Sequence, residues 1–110
     1  MREAVLLKAD EWSSFSEDCL AATKAFLRAR GLPEHFDEAR GRGEHFWSSM
    51  LTEAESSYEL FIYPDAAGFW RDRERWLMFE RADFKRERDQ IDAFLNALES
   101  SLDQPNRRSG

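Results

Sequence analysis

The sequence lacks the cysteines that would be needed for an internal disulfide. Cys19 is its single cysteine, and one thiol cannot form a bridge within the chain. A lone thiol is typical of proteins in reducing compartments, so we expect a cytoplasmic protein. No apolar run approaches the about 18 residues of a membrane-spanning helix, and the run after Met1 is too short for a signal peptide. We therefore expect no membrane partner.

The sequence also has few β-branched residues. They are Val5, Thr23, Thr52, Ile62 and Ile91. Since strands favour β-branched and aromatic side chains, this scarcity argues against a large sheet, and any strand would have to be built on aromatics. We therefore predict a predominantly α-helical, compact domain of three to four helices over residues 1–102. The polar residues 103–110 are predicted to form a disordered tail.

Residues that carry chemistry are scarce as well. The two histidines, His35 and His45, have no partners at the spacing of a metal site, so no metal or other cofactor is expected. No serine lies in a Gly-x-Ser-x-Gly elbow, and residues 41–43 (Gly-Arg-Gly) do not have the spacing of a phosphate-binding loop. Cys19 lies on an apolar helical stripe, where a thiol acts as a small hydrophobe. We therefore do not expect an enzyme.

Negative charge is concentrated in the first half of the chain. The net charge is −6, and it arises entirely within residues 1–65, because acidic and basic residues balance in residues 66–110. Without a net basic region, direct binding to nucleic acid is disfavoured. The acidic half instead favours a protein partner, for which a basic surface is one option.

Two segments show the spacing and boundaries of helices. The first runs from about Asp10 to Arg30, with an apolar stripe at Trp12, Phe15, Cys19, Ala22 and Phe26. Gly31 is suited to its C-terminal cap, and Pro33 would begin a short helix that ends near Arg40. The second segment covers Phe84 to Leu102, with Asp83 as the N-cap.

The segment between these two helices has two interpretations. Apolar spacing from Glu44 predicts a helix that ends at Pro64. Alternatively, residues 58–63 and 75–80 form an aromatic β-hairpin within about residues 57–81, which would make the domain α+β. A third pattern crosses this region, because Trp70, Leu77, Phe84, Ile91 and Leu98 recur every seven residues in a stretch without Gly or Pro. A single helix along that seam would favour a homodimer.

Aromatic residues exceed what a small core requires. Adjacent Phe–Trp pairs place apolar surface on two faces, and arginines lie beside them in the sequence. Trp, Tyr and Arg dominate the energetics of protein interfaces. The predicted partner-binding residues are Phe46, Trp47, Phe69, Trp70, Arg71, Arg73, Arg75 and Trp76.

These features predict a non-enzymatic module that masks a partner protein, as an inhibitor, immunity or antitoxin-like protein does, or a secretion chaperone. One alternative is an acidic nucleic-acid mimic that blocks a DNA- or RNA-binding protein. The other is a small helical ligand-binding protein or enzyme, which would require an apolar pocket with converging polar groups.

Overall fold

Along the chain, the fold consists of one helix, then a five-stranded sheet, then a second helix. The structure, a computed structural model, describes residues 15–41, 44–53 and 55–104. Helix α1 (Phe15–Ala29) precedes the strands, and helix α2 (Glu87–Leu102) follows them after a 3-10 turn at Arg81–Asp83. The strands are β1 (Asp37–Gly41), β2 (Glu44–Glu53), β3 (Ser56–Ile62), β4 (Ala66–Arg71) and β5 (Arg75–Glu80).

The strands form an antiparallel meander. Each strand pairs with the next one along the chain, so that β1 and β5 lie at the two edges. The register places Tyr58 in β3 between Leu51 of β2 and Arg71 of β4, and it places Phe61 opposite Gly68. Residues that pair across strands share a face, so this register assigns every strand residue to one of the two sides of the sheet.

Both helices pack against the same face of the sheet, which we call the helix face. In β3 the residues on this face are fully or almost fully buried, while Glu59 and Phe61 on the other side are half-buried. The core combines apolar side chains of α1, the strands and α2. Its members include Phe15, Cys19, Leu27, Leu51, Tyr58, Leu60, Ile62, Ala67, Phe69, Ile91, Phe94, Leu98 and Leu102.

Helix α1 agrees with the sequence prediction as far as the structure describes it. Gly31 has a φ of +73°, and its N–H donates to the carbonyl of Arg28, as expected of a residue that ends a helix. The fully buried face of α1 consists of Phe15, Cys19, Thr23 and Leu27. Ala22 and Phe26 lie at the edge of this buried face and are only partly buried. Asp10 and Trp12 lie outside the described residues.

The prediction of a predominantly helical domain of three to four helices is wrong. Residues 33–36 have no regular structure and Asp37 begins β1, so no helix covers Pro33 to Arg40. The helix predicted from Glu44 to Pro64 is instead the hairpin of β2 and β3. The expectation failed because aromatic side chains occupy the strand positions that β-branched residues usually fill.

The alternative hairpin identified two strands but paired them incorrectly. Residues 58–63 and 75–80 largely coincide with β3 and β5, yet β4 lies between them and pairs with both. The seven-residue repeat is a coincidence, because Trp70 and Leu77 lie in strands while Ile91 and Leu98 lie in α2. The repeat therefore gives no argument for a homodimer.

Helix α2 begins later than predicted. Its first residue is Glu87, the N-cap position is Arg86, and Asp83 belongs to the preceding 3-10 turn. At the other end, the carboxylate of Asp103 accepts a hydrogen bond of 2.8 Å from Arg30. Residues 105–110 of the predicted tail lie outside the described residues.

Candidate functional site: the open face of the sheet

The open face is the side of the sheet opposite to both helices. No helix in the described part of the chain packs against it, and the register places large apolar side chains there on four adjacent strands. Their rings contact one another in a continuous cluster, which we call the aromatic patch. Its members are Phe46, Phe61, Tyr63, Trp70 and Trp76.

Ring distances show that the aromatic patch is continuous. The centroids of Phe46 and Tyr63 are 4.9 Å apart, and those of Phe61 and Tyr63 are 6.4 Å apart. Trp76 meets Phe61 edge-on at 5.6 Å and lies 4.8 Å from Trp70. Such contacts bury part of each ring and hold the patch in a defined arrangement, so it is ready to bind without first being ordered.

Two small residues of β4 support the patch from below. Gly68 lies directly between Phe61 of β3 and Met78 of β5, and Ala66 accepts a hydrogen bond from the N–H of Tyr63. Both small residues are buried although they face away from the helices. The large rings of neighbouring strands therefore cover β4 and close over the middle of the open face.

Acidic side chains flank the aromatic patch. Asp37 of β1, Glu59 of β3 and Glu80 of β5 occupy open-face positions in the register. Glu59 lies beside Met50 and Trp70 in a shallow depression that Arg73 also lines. Met50 is 66% exposed, which extends the apolar surface of this face beyond the rings.

The predicted partner-binding residues divide between the two faces. Phe46, Trp70 and Trp76 lie in the aromatic patch, and Arg73 is exposed in the turn before β5. Trp47, Phe69 and Arg71 instead lie on the helix face, where Phe69 is 1% exposed and belongs to the core. The backbone of Arg75 lies opposite that of Arg71 in the β4–β5 register.

Sequence reasoning missed Phe61 and Tyr63 as members of the patch. Together with Ser57 and Glu59 they occupy every second position, out of phase with the buried residues of β3. This period of two is the signal that could have identified them. It was hidden because both faces of the strand carry aromatic side chains.

Arg71 connects β4 to the end of α2 instead of facing outward. Its guanidinium group donates to the Ser101 carbonyl at 2.9 Å and to the Gln104 carbonyl at 3.1 Å, and it lies 5.7 Å from the ring centre of Tyr58. Arg71 thus adds hydrogen bonds to one carbonyl in the last turn of α2 and to one just beyond the helix. It holds α2 against the sheet.

We expect Arg71→Lys to lower the free energy of unfolding by about 1–2 kcal/mol, because an ammonium group cannot reach both carbonyls in the way that a guanidinium group does. Urea denaturation followed by tryptophan fluorescence measures this change. Arg73→Lys is the matched control, since Arg73 is exposed in the turn, and it should leave the midpoint unchanged. Equal effects of the two substitutions would contradict the structural role of Arg71.

The remaining candidate groups do not form a reaction site. Cys19 is fully buried in the core near Thr23, and burial raises the pKa of its thiol to about 12, so the thiol stays protonated and unreactive. His35 pairs with Asp37, and His45 pairs with Glu38. Both pairs lie at the edge of the sheet that β1 forms, and their side chains are exposed. Among the residues that the structure describes, no three His, Cys, Asp or Glu side chains are grouped to hold a metal ion.

Comparison with known proteins adds no relative. No family model, no curated protein and no solved structure matches the chain. Within the described ranges, no helix is both long enough and apolar enough to cross a membrane.

Proposed function

We propose that the chain is a non-enzymatic protein-binding module that masks an apolar surface of a partner protein with the open face of its sheet. The aromatic patch is the observation that carries this proposal. Large contiguous apolar surfaces on small proteins mark interaction sites, and aromatic residues and Met are enriched in the centres of interfaces. The patch and Met50 supply such a centre in an ordered form.

The charges around the patch suggest a partner with basic groups beside an apolar segment. Asp37, Glu59 and Glu80 share the open face with the rings, and the whole chain carries a net charge of −6. Complementary charges at the rim of an interface accelerate association and select the partner, while the apolar centre supplies most of the affinity. We propose that this masking module is an inhibitor, immunity or antitoxin-like protein, or a secretion chaperone. A buried, unreactive Cys19 suits the reducing cytoplasm that we propose as its location.

Binding to a partner co-purified from the native host tests the proposal. Affinity should fall at least tenfold for Trp70→Ala, since truncating an aromatic residue that anchors an interface typically costs about 2 kcal/mol or more. Glu59→Lys should slow association with a basic partner. Glu99→Lys makes the same charge change on an exposed position of α2 and should have no effect beyond that of net charge.

Two outcomes would reject this proposal. If no stoichiometric protein partner is found, or if Trp70→Ala binds the partner as tightly as the wild type, the open face is not the binding surface. If Trp70→Ala left the affinity unchanged and the affinity fell steeply with salt concentration, the acidic nucleic-acid mimic would be favoured instead.

A further inference from the structure

The edge strand β5 exposes apolar side chains on both of its faces. Trp76 on the open face is 38% exposed, and Leu77 on the helix face is 40% exposed. The opposite edge, β1, has the sequence Asp-Glu-Ala-Arg-Gly, and charges of this kind protect an edge against pairing. The middle of β5, from Trp76 to Phe79, has no charged residue. The two edges of the same sheet therefore differ in how well they resist the addition of another strand.

In the described part of the chain β5 pairs only with β4, so its other edge, which we call the free edge, has no strand beside it. The N–H of Arg81 donates to the carbonyl of Asp65 at 3.0 Å, which continues the β4–β5 ladder by one residue. Bonded and non-bonded pairs alternate in an antiparallel ladder, so Phe79 and Leu77 bond to β4. Trp76 and Met78 consequently direct their N–H and C=O groups away from β4, towards the free edge. A second strand would satisfy these groups.

We propose that β5 pairs antiparallel with β5 of a second copy of this chain, with Leu77 on the two-fold axis. In this register Leu77 faces Leu77 of the second copy, and Trp76 faces its Met78. The outward peptide groups of Trp76 and Met78 then bond to those of Met78 and Trp76 across the axis. One set of residues contacts itself, as an isologous dimer requires.

The neighbouring registers fit less well. Paired residues must share a face, so the axis can move only by whole residues along β5. An axis at Met78 would place the apolar ring of Trp76 opposite the carboxylate of Glu80, which is a less favourable cross-strand pair. An axis at Trp76 would place Leu77 opposite Arg75. Of these three registers, only the axis at Leu77 places an apolar residue opposite each of Trp76, Leu77 and Met78.

The two-fold axis of such a pair is perpendicular to the sheet, with consequences for the open face. Both copies then place their helices on one side and their aromatic patches on the other. Trp76 of each patch would lie beside Met78 of the second copy, so that a ten-stranded sheet carries one continuous apolar surface. The dimer does not require the proposed function, but it would present two copies of the proposed binding surface side by side.

Sedimentation velocity of the full chain, in the absence of any partner, tests the pairing. The wild type should sediment as a dimer in a concentration-dependent equilibrium, and Leu77→Lys should be monomeric because it places two ammonium groups on the axis. Met50→Lys introduces the same charge at a more exposed apolar residue of the inner strand β2 and should remain dimeric. Circular dichroism should show that both variants keep the fold.

Disulfide trapping tests the register. Leu77→Cys should cross-link on mild oxidation, since opposed residues of a non-hydrogen-bonded pair have Cα atoms about 4.5 Å apart, within the range of a disulfide. Met78→Cys is the matched control and should stay unlinked, because its counterpart lies two residues along the other strand, beyond roughly 7 Å. The native thiol is buried and does not interfere.

Three results would overturn the proposal: a monomeric wild type at high concentration, a dimer that survives Leu77→Lys, or cross-linking at Met78→Cys but not at Leu77→Cys. None of them bears on the proposed function, because Trp70→Ala tests partner binding on a different strand.

Discussion

Phe94→Ala should lower the free energy of unfolding by about 3–5 kcal/mol, which is a large part of the stability of a small domain. Phe94 of α2 is 0% exposed, and its ring centre lies 6.3 Å from that of Phe69 and 6.4 Å from that of Phe79. Removing the ring leaves a cavity where α2 meets β4 and β5. Urea denaturation, with the fluorescence of the four tryptophans as the probe, measures the loss.

Phe46→Ala is the matched control for this experiment. It removes the same ring from the open face, where Phe46 is half-buried and contacts Phe61 and Tyr63. The loss of stability should be well below that of Phe94→Ala, because less apolar area returns to water and no enclosed cavity forms. If the two losses were equal, the helices would not lie on the face that we assign to them.

The two helices could be predicted from the sequence because each has one buried face and recognisable ends. Gly31 ends α1 as predicted, and the buried Ile91, Phe94 and Leu98 of α2 follow helical spacing. The spacing of apolar residues within one segment is enough to predict a helix of this kind. The predicted start of α2 is three residues too early, because Asp83 lies in the 3-10 turn and the actual N-cap residue, Arg86, makes no side-chain cap.

The sheet could not be predicted because apolar residues lie on both of its faces. In β2, Phe46 and Met50 point to the open face while Trp47 and Leu51 point to the helices. Two adjacent apolar residues followed, four positions later, by two more fit a helical stripe as well as a two-sided strand. The shortage of β-branched residues then favoured the wrong alternative.

The candidate site was predicted in part for the same reason. The surplus of aromatic residues and the neighbouring arginines predict Trp70 and Trp76 as partner-binding residues, but the face on which each neighbour lies depends on the strand pairing. Because β4 lies between β3 and β5, the register places Phe69 and Arg71 on the helix face and Phe61 on the open face. Such long-range pairing is not encoded in local spacing.

Gly68→Ala should destabilise the protein by about 3 kcal/mol, at the upper end of the range for overpacking, because the added methyl group meets backbone. A Cβ on Gly68 would overlap the carbonyl oxygen of Leu77 and would lie 2.9 Å from Sδ and 3.1 Å from Cα of Met78. A side chain can rotate away from such a contact, but a strand backbone cannot. Relief therefore requires β5 to move away from β4, and amide hydrogen exchange of the β4–β5 ladder should accelerate.

Gly31→Ala separates this steric effect from the general cost of replacing glycine. No atom lies within 4 Å of a Cβ on Gly31, so that substitution meets only the unfavourable φ of +73°. It should destabilise the protein by about 1 kcal/mol and leave amide exchange in β4 and β5 unchanged relative to the other strands. If Gly68→Ala behaved in the same way, β5 would have room to accommodate a methyl group. That result would contradict the close approach of β4 and β5 at Gly68, beneath the aromatic patch.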